Sequence, residues 1–198
     1  MRFRAVNVRL PDWVEPFLSQ SGEVFSSVED RMGLVVDLAR QNVAHKTGGP
    51  FAAAVFDREG RLIAPGVNLV TTSKCSVLHA EIVALILAQH VLERYDIGDA
   101  GRLCYDLVAS TEPCAMCFGA LPWSGVGRLI CGARDEDARG AGFDEGPKLP
   151  NWVAGLTARG IAVVRDVLRA DSVAVLQAYT AAGGPVYNAG GKRGTPAD

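Results

Sequence analysis

An excess of charge of one sign is missing from this chain of 198 residues: 20 Lys and Arg stand against 22 Asp and Glu, a net charge of −2. A phosphate backbone is held by clustered cations that displace its counterions, so the balance argues against a nucleic-acid partner and favours a small, uncharged one. Long hydrophobic runs are missing as well. The most apolar stretch, residues 82–92, is interrupted by Gln89 and His90 and falls short of the roughly 20 residues needed to cross a bilayer. No membrane partner is expected. Residues 1–13 lack the apolar core of a secretory signal, and five cysteines are an odd number for a disulfide framework. Both absences set the expectation of a reducing, cytoplasmic location. What the chain does have is apolar material, 48% of its residues, enough for one globular domain with a sizeable core.

Residues 1–30 mix Pro, Ser and scattered apolar positions and read as an N-terminal extension, with a short helix at 12–19 carrying Trp13, Phe17 and Leu18 on one side. Met32, Val35, Val36, Ala39 and Val43 then recur at helical spacing. With Asp30 as cap and Gly48-Gly49-Pro50 as stop, they predict a helix over 31–46. Apolar runs at 51–56 and 62–70, separated by the turn Asp57-Arg58-Glu59-Gly60, predict a hairpin. Residues 79–94 are apolar almost all round, the pattern of a helix packed on most sides against a sheet. A strand at 103–110, a helix at 115–123 and a strand at 127–133 favour a parallel, right-handed crossover. Residues 134–150, rich in Gly, Asp and Glu, read as a loop. A helix at about 151–158, a strand at 161–164 and a helix at 171–181 complete the domain, which is expected over 31–182. The Gly-rich tail, 183–198, is a candidate lid.

Two short segments carry chemistry. His79-Ala80-Glu81 begins the buried helix, and Pro113-Cys114-Ala115-Met116-Cys117 lies at a strand-to-helix turn. H-x-E followed by P-C-x-x-C is an established signature of zinc nucleobase deaminases. Three ligands, His79, Cys114 and Cys117, leave the fourth tetrahedral position of Zn2+ open for water, which is the arrangement of a catalytic rather than a structural site. Free N–H groups at the helix N-terminus stabilise thiolates, so both cysteines are expected to ligate deprotonated. Glu81, in the first turn, is expected to shuttle protons for the attacking water rather than to bind metal. Each residue alone has an ordinary reading: His79 as a cap, Glu81 as a first-turn charge, C-x-x-C as a redox or structural motif. Their order and spacing together argue against those readings. Of the other cysteines, Cys104 and Cys131 read as small residues buried in strands, and Cys75 is the one competitor for a fourth ligand.

At these residues the chain resembles the cytidine-deaminase-like superfamily, and within it the bacterial guanine deaminases, over roughly residues 31–187. Gly49-Pro50-Phe51-Ala52, His79 to Ile82, Glu112 to Ala120 with Trp123, and Ala141-Gly142-Phe143-Asp144 carry the resemblance. It implies an α/β fold, a three-layer α/β/α sandwich with a mixed five-stranded sheet. It further implies a homodimer with one Zn2+ per chain, hydrolysing guanine to xanthine and ammonia. By the same resemblance Asn68 hydrogen-bonds the base, Phe51 and Trp123 line or stack on it, the backbone N–H of Ala80 adds a contact, and Tyr187 closes the site. An acidic residue of the Asp144-Glu145 pair acts over the substrate, with Glu145 the favoured one. Family members commonly carry Asp-Pro-Thr before H-x-E, whereas this chain has Ser73 to Leu78 with Cys75 in that stretch. The departure keeps related substrates in view: ammeline, cytosine, guanosine, cytidine or the adenosine of a tRNA. A non-catalytic zinc or redox module is the alternative of another class, and Glu81 beside the histidine argues against it.

Overall fold

The computed structural model describes residues 6–188. Its elements run α1 (Val14–Leu18), α2 (Val28–Ala44), β1 (Ala52–Phe56), β2 (Leu62–Val67), α3 (Val70–Ser73), α4 (Ala80–Val91), β3 (Asp106–Thr111), α5 (Ala115–Ser124), β4 (Arg128–Ala133), α6 (Asp135–Gly140), α7 (Trp152–Thr157), β5 (Ala162–Val164) and α8 (Arg169–Ala181). The strands form one mixed sheet in the order β2-β1-β3-β4-β5. β1 pairs antiparallel with both β2 and β3, whereas β3, β4 and β5 run parallel, joined through α5 and α7. No helix among the described residues is long and apolar enough to cross a membrane.

Both faces of the sheet are covered, which is why its central strands read as unbroken apolar runs. Ala52, Ala54 and Phe56 of β1, Val108 of β3 and Ile130 of β4 face one layer, where Met32, Val35 and Leu38 of α2 and Val175 of α8 pack. The alternate residues Ala53, Val55, Leu107, Ala109, Leu129 and Cys131 face Ala84 and Leu85 of α4, Leu121 of α5 and Leu156 of α7. Side-chain size sets how closely α4 sits. Ala80, Ala84 and Ala88 share one face of α4 at intervals of four residues, and a Cβ on Gly66 of β2 would lie 2.2 Å from the Ala80 carbonyl oxygen. The start of α4 is thereby pressed onto the end of β2.

The structure departs from the sequence-based reading in several places. Asp30 is not the cap of α2: Ser27 is, its hydroxyl accepting from the Asp30 N–H while the Asp30 carboxylate accepts from the Ser27 N–H. This reciprocal capping box starts the helix a turn earlier and brings it inside the segment read as an extension. Val14 of α1 is also buried in the α2 layer. The loop expected at 134–150 contains α6, whose first turn holds Asp135, Glu136 and Asp137, favourably placed at the positive end of the helix. The second strand ends at Val67, so Asn68 lies just beyond it. Cys104 is exposed and precedes β3, while Cys131 is fully buried in β4 as expected.

Candidate active site

His79 and Cys114 occupy equivalent places: each is the extended N-cap residue of a helix, His79 of α4 and Cys114 of α5. Both helices point their positive ends at the same volume, a setting that favours anionic groups. α5 is terminated by Gly125, whose φ of 81° is the left-handed geometry that favours glycine. Cys117 comes round on the first turn of α5, and the ligand atoms of His79, Cys114 and Cys117 all lie within 4.8 Å of one another. The Cys114 Sγ to His79 Nδ1 separation is 3.4 Å, close to the edge of a tetrahedron built on Zn–S of about 2.3 Å and Zn–N of about 2.0 Å. The donor set fits zinc. Cys75 is not part of it.

The protonation pattern matches a cation site. The hydrogen bond from Cys117, followed by that from His79, outweighs burial and lowers the Cys114 pKa to about 4. The same bond to Cys114, together with burial, pushes the Cys117 thiol well above its ordinary value. The two sulfurs thus share one proton, which a divalent cation displaces on binding. Burial lowers His79, but its bond to Cys114 and the nearby Glu81 carboxylate more than offset this and leave its pKa raised. Glu81 is pushed up to about 7, first by burial and then by the negative Cys114. A carboxyl poised there is matched to proton exchange near neutral pH.

A cavity of about 310 Å³ opens over these residues, lined by Phe51, Asn68, His79, Glu81, Glu112, Cys114, Met116, Phe143, Asp144, Glu145, Tyr187 and others. Asn68 is buried, and its Oδ1 accepts from the N–H groups of Val70 at 3.2 Å and Gly49 at 3.4 Å. Its Nδ2 is thereby left to face the cavity. Phe51 meets Phe143 edge-on at 4.8 Å between ring centroids, and Phe143 in turn touches Tyr187, so one wall is aromatic. The Tyr187 hydroxyl is buried without a hydrogen-bond partner among the described residues and packs against Gly49. Tyr187 belongs to the tail expected as a lid. Residues 189–198 of that tail lie outside the described residues.

Within the acidic pair the two carboxylates have separate surroundings. Asp144 is exposed and its Oδ1 accepts from the Gly146 N–H at 2.9 Å. Glu145 is buried, its carbonyl accepts from the Ala115 N–H at 2.9 Å, and burial followed by the charges on Cys114 and Glu81 pushes its carboxyl up to about 8. Ala80 is fully buried, and its N–H is one of the first-turn donors of α4 with no partner inside the helix. Trp123, expected to line or stack on the base, is 80% exposed and is not among the residues that line the cavity of its own chain. It falls on the outward stripe of α5, about two turns beyond Met116, while Leu121 takes the inward side.

Glu112, which the motif contained without a role, is buried beside the cavity. Arg165 Nε donates to its Oε1 at 2.6 Å, and the Asp135 N–H to its Oε2 at 3.2 Å. Lys148 Nζ lies 3.6 Å from the same carboxylate and donates to the Pro113 carbonyl at 3.1 Å. These contacts tie the 143–150 segment, with Glu145, to the turn that presents Cys114. No local sequence pattern marks Arg165 and Lys148 as its partners.

Comparison with known proteins agrees with this geometry. Guanine deaminase of Bacillus subtilis (strain 168) is 41% identical over 110 residues, 56% of this chain and 67% of that protein. A solved structure of guanine deaminase from Nitrosomonas europaea superposes with a TM-score of 0.84 at 47% identity, covering 89% of this chain and 97% of that one. A chain solved in complex with 8-azaguanine gives a TM-score of 0.84 at 47% identity, covering 89% and 98%. The family model of the cytidine and deoxycytidylate deaminase zinc-binding region matches residues 26–133, a span that holds α2, the hairpin and all three ligands. The chain belongs to the cytidine and deoxycytidylate deaminase family.

Proposed function

We propose that this protein is a guanine deaminase, hydrolysing the base to xanthine and ammonia. The observation that carries the reading is the convergence of the His79, Cys114 and Cys117 donor set, the perturbed carboxyl of Glu81 and the amide of Asn68 on one aromatic-walled cavity. Its similarity to guanine deaminases and to a chain that binds 8-azaguanine supports the same base.

A zinc ion held by the three ligands supplies Lewis acidity that makes water nucleophilic near neutral pH. Glu81 takes a proton from the attacking water and returns protons to the ring nitrogen and the departing amine, so that guanine and water leave as xanthine and ammonia. Asn68 Nδ2 orients the base from its edge, and Phe51 and Phe143 cover its apolar faces. Glu145, held neutral by burial, offers a carboxyl to the ring and assists the proton transfer. Tyr187 closes the cavity and keeps bulk water out. A homodimer in the cytoplasm completes the proposal; the exposed Trp123 and Met116 on α5 form the apolar stripe that a second copy can cover.

The test is Glu81→Gln, assayed for ammonia release from guanine beside zinc content. The expected outcome is about one zinc per chain with turnover abolished; full turnover in the variant refutes the proton shuttle. A panel of guanine, ammeline, cytosine, adenine and their nucleosides tests the base, and activity confined to nucleosides refutes the free-base reading.

A further inference from the structure

Asn42 is a fully buried amide in the last turn of α2, on its core-facing side. Its Nδ2 donates twice, to the Gly49 carbonyl at 2.9 Å and to the Asn68 carbonyl at 3.0 Å. These two carbonyls lie at the open end of the β1–β2 hairpin, where Phe51 and Asn68 leave the strands to line the cavity and the Asn68 N–H donates to the Phe51 carbonyl at 3.0 Å. One side chain from another layer thus staples both arms of the hairpin at the level of the site.

An amide can do this in only one of its two orientations, because reversing it would set an oxygen against two carbonyl oxygens. The orientation is fixed by Thr47, whose hydroxyl donates to Asn42 Oδ1 at 2.7 Å. That hydroxyl has a single proton, and its acceptor side is taken by the Trp13 Nε1–H at 2.9 Å. The chain of donors runs in one direction, from Trp13 through Thr47 and Asn42 to the Asn68 backbone. The two N–H groups that the Asn68 Oδ1 then accepts turn its Nδ2 to the cavity.

We infer that Asn42, oriented by Thr47, is a positioning residue for deamination, setting the place from which Asn68 meets the base. The inference rests on the reading that Asn68 contacts the substrate. It also gives the segment before α2 a part in the site, since Trp13 completes the donor chain.

The test is a double-mutant cycle between positions 47 and 68 on zinc-loaded protein, with guanine turnover and 8-azaguanine affinity as parallel readouts. Thr47→Val keeps the shape of the side chain and removes the hydroxyl; Thr47→Ser restores it. Thr47→Val is expected to lower kcat/KM by about tenfold, the scale of a sub-ångström displacement of a substrate contact, with zinc content unchanged and Thr47→Ser within about threefold of wild type. In the Asn68→Ala background Thr47→Val is expected to cost nothing further. A loss of equal size in both backgrounds, or no loss in either, overturns the inference, because the effect then does not travel through Asn68. Wild-type protein that neither binds 8-azaguanine nor deaminates guanine overturns the proposed function and this inference with it, whereas normal activity with an additive cycle overturns the inference alone.

Discussion

Asp106 opens β3 at the end of the sheet remote from the cavity, and its carboxylate lies between two guanidinium groups. Arg31 of α2 and Arg128 of β4 both donate to its Oδ2, and Arg128 Nε donates to its Oδ1 at 2.8 Å. Asp106 is 3% exposed and Arg31 4%, whereas Arg128 is 34% exposed. Asp106→Asn keeps the shape and removes the charge. Arg128 can turn to water, but Arg31 keeps only neutral acceptors, the carbonyls of Phe25 and Arg58 and the new amide oxygen, and is left as a buried cation without a counterion. Breaking a buried pair from one side costs about 3–5 kcal/mol, and for a chain of this size each kcal/mol moves Tm by about 2–4 °C. The expected fall is therefore roughly 6–20 °C, read by thermal and urea unfolding. Arg31→Met added to Asp106→Asn should recover most of it, because the orphan charge goes. The site lies at the other end of β3, about 20 Å away at strand rise, so kcat well below Tm should not change. A loss under about 1 kcal/mol, the worth of a surface pair such as Arg9–Asp12, would refute the reasoning.

Two further outcomes follow from the site itself. In chelator-treated protein Glu145 titrates near 8 when folded and near 4.5 when unfolded, so between those values the folded state holds a proton that the unfolded state has released. Its contribution is complete below about pH 4.5 and is lost as pH rises towards 8, with a slope of up to about 1.4 kcal/mol per pH unit; urea unfolding at several pH values should give a flatter profile for Glu145→Gln, and an unchanged slope would rule the shift out. A Cβ at Gly48 would sit 1.7 Å from the Asn68 carbonyl oxygen and 2.8 Å from Asn42 Nδ2; Gly48→Ala is expected to displace the Asn68 backbone and lower kcat/KM by about a hundredfold, whereas Gly33→Ala, in α2 with open space around it, should stabilise by up to about 1 kcal/mol, and equal effects of the two would contradict the packing.

Elements with a strong periodic pattern are legible in the sequence: the hairpin, the buried α4 and the β3–α5–β4 crossover follow from apolar runs and turn residues. The ligands are legible because metal chemistry restricts residue type and spacing together. Less legible are features decided by a partner far along the chain. Asp30 looks like a cap until the Ser27 hydroxyl is seen to accept from it, and α6 hides in a polar segment because its acidic first turn is held by Arg169 from another helix. Trp123 follows Cys117 by only six residues, yet the hundred-degree step per residue turns it outward, so nearness in sequence does not bring it to the cavity of its own chain. Asn42 is visible only as a polar residue within an apolar stripe, and its meaning depends on carbonyls 7 and 26 residues away.

β3 stands between β1 and β4 in the sheet, while the ligands flank it in the chain, His79 before it and Cys114 and Cys117 after it. A nascent chain can therefore close the hairpin and wind α4 on its own, but it has no three-donor site until β3 has threaded into the centre of the sheet and α5 has docked behind it. A cation captured at that moment ties two segments 35 residues apart and shrinks the set of conformations to which the chain can return, as a covalent staple does. The complete three-donor site thus exists only in a chain whose central strand is in place.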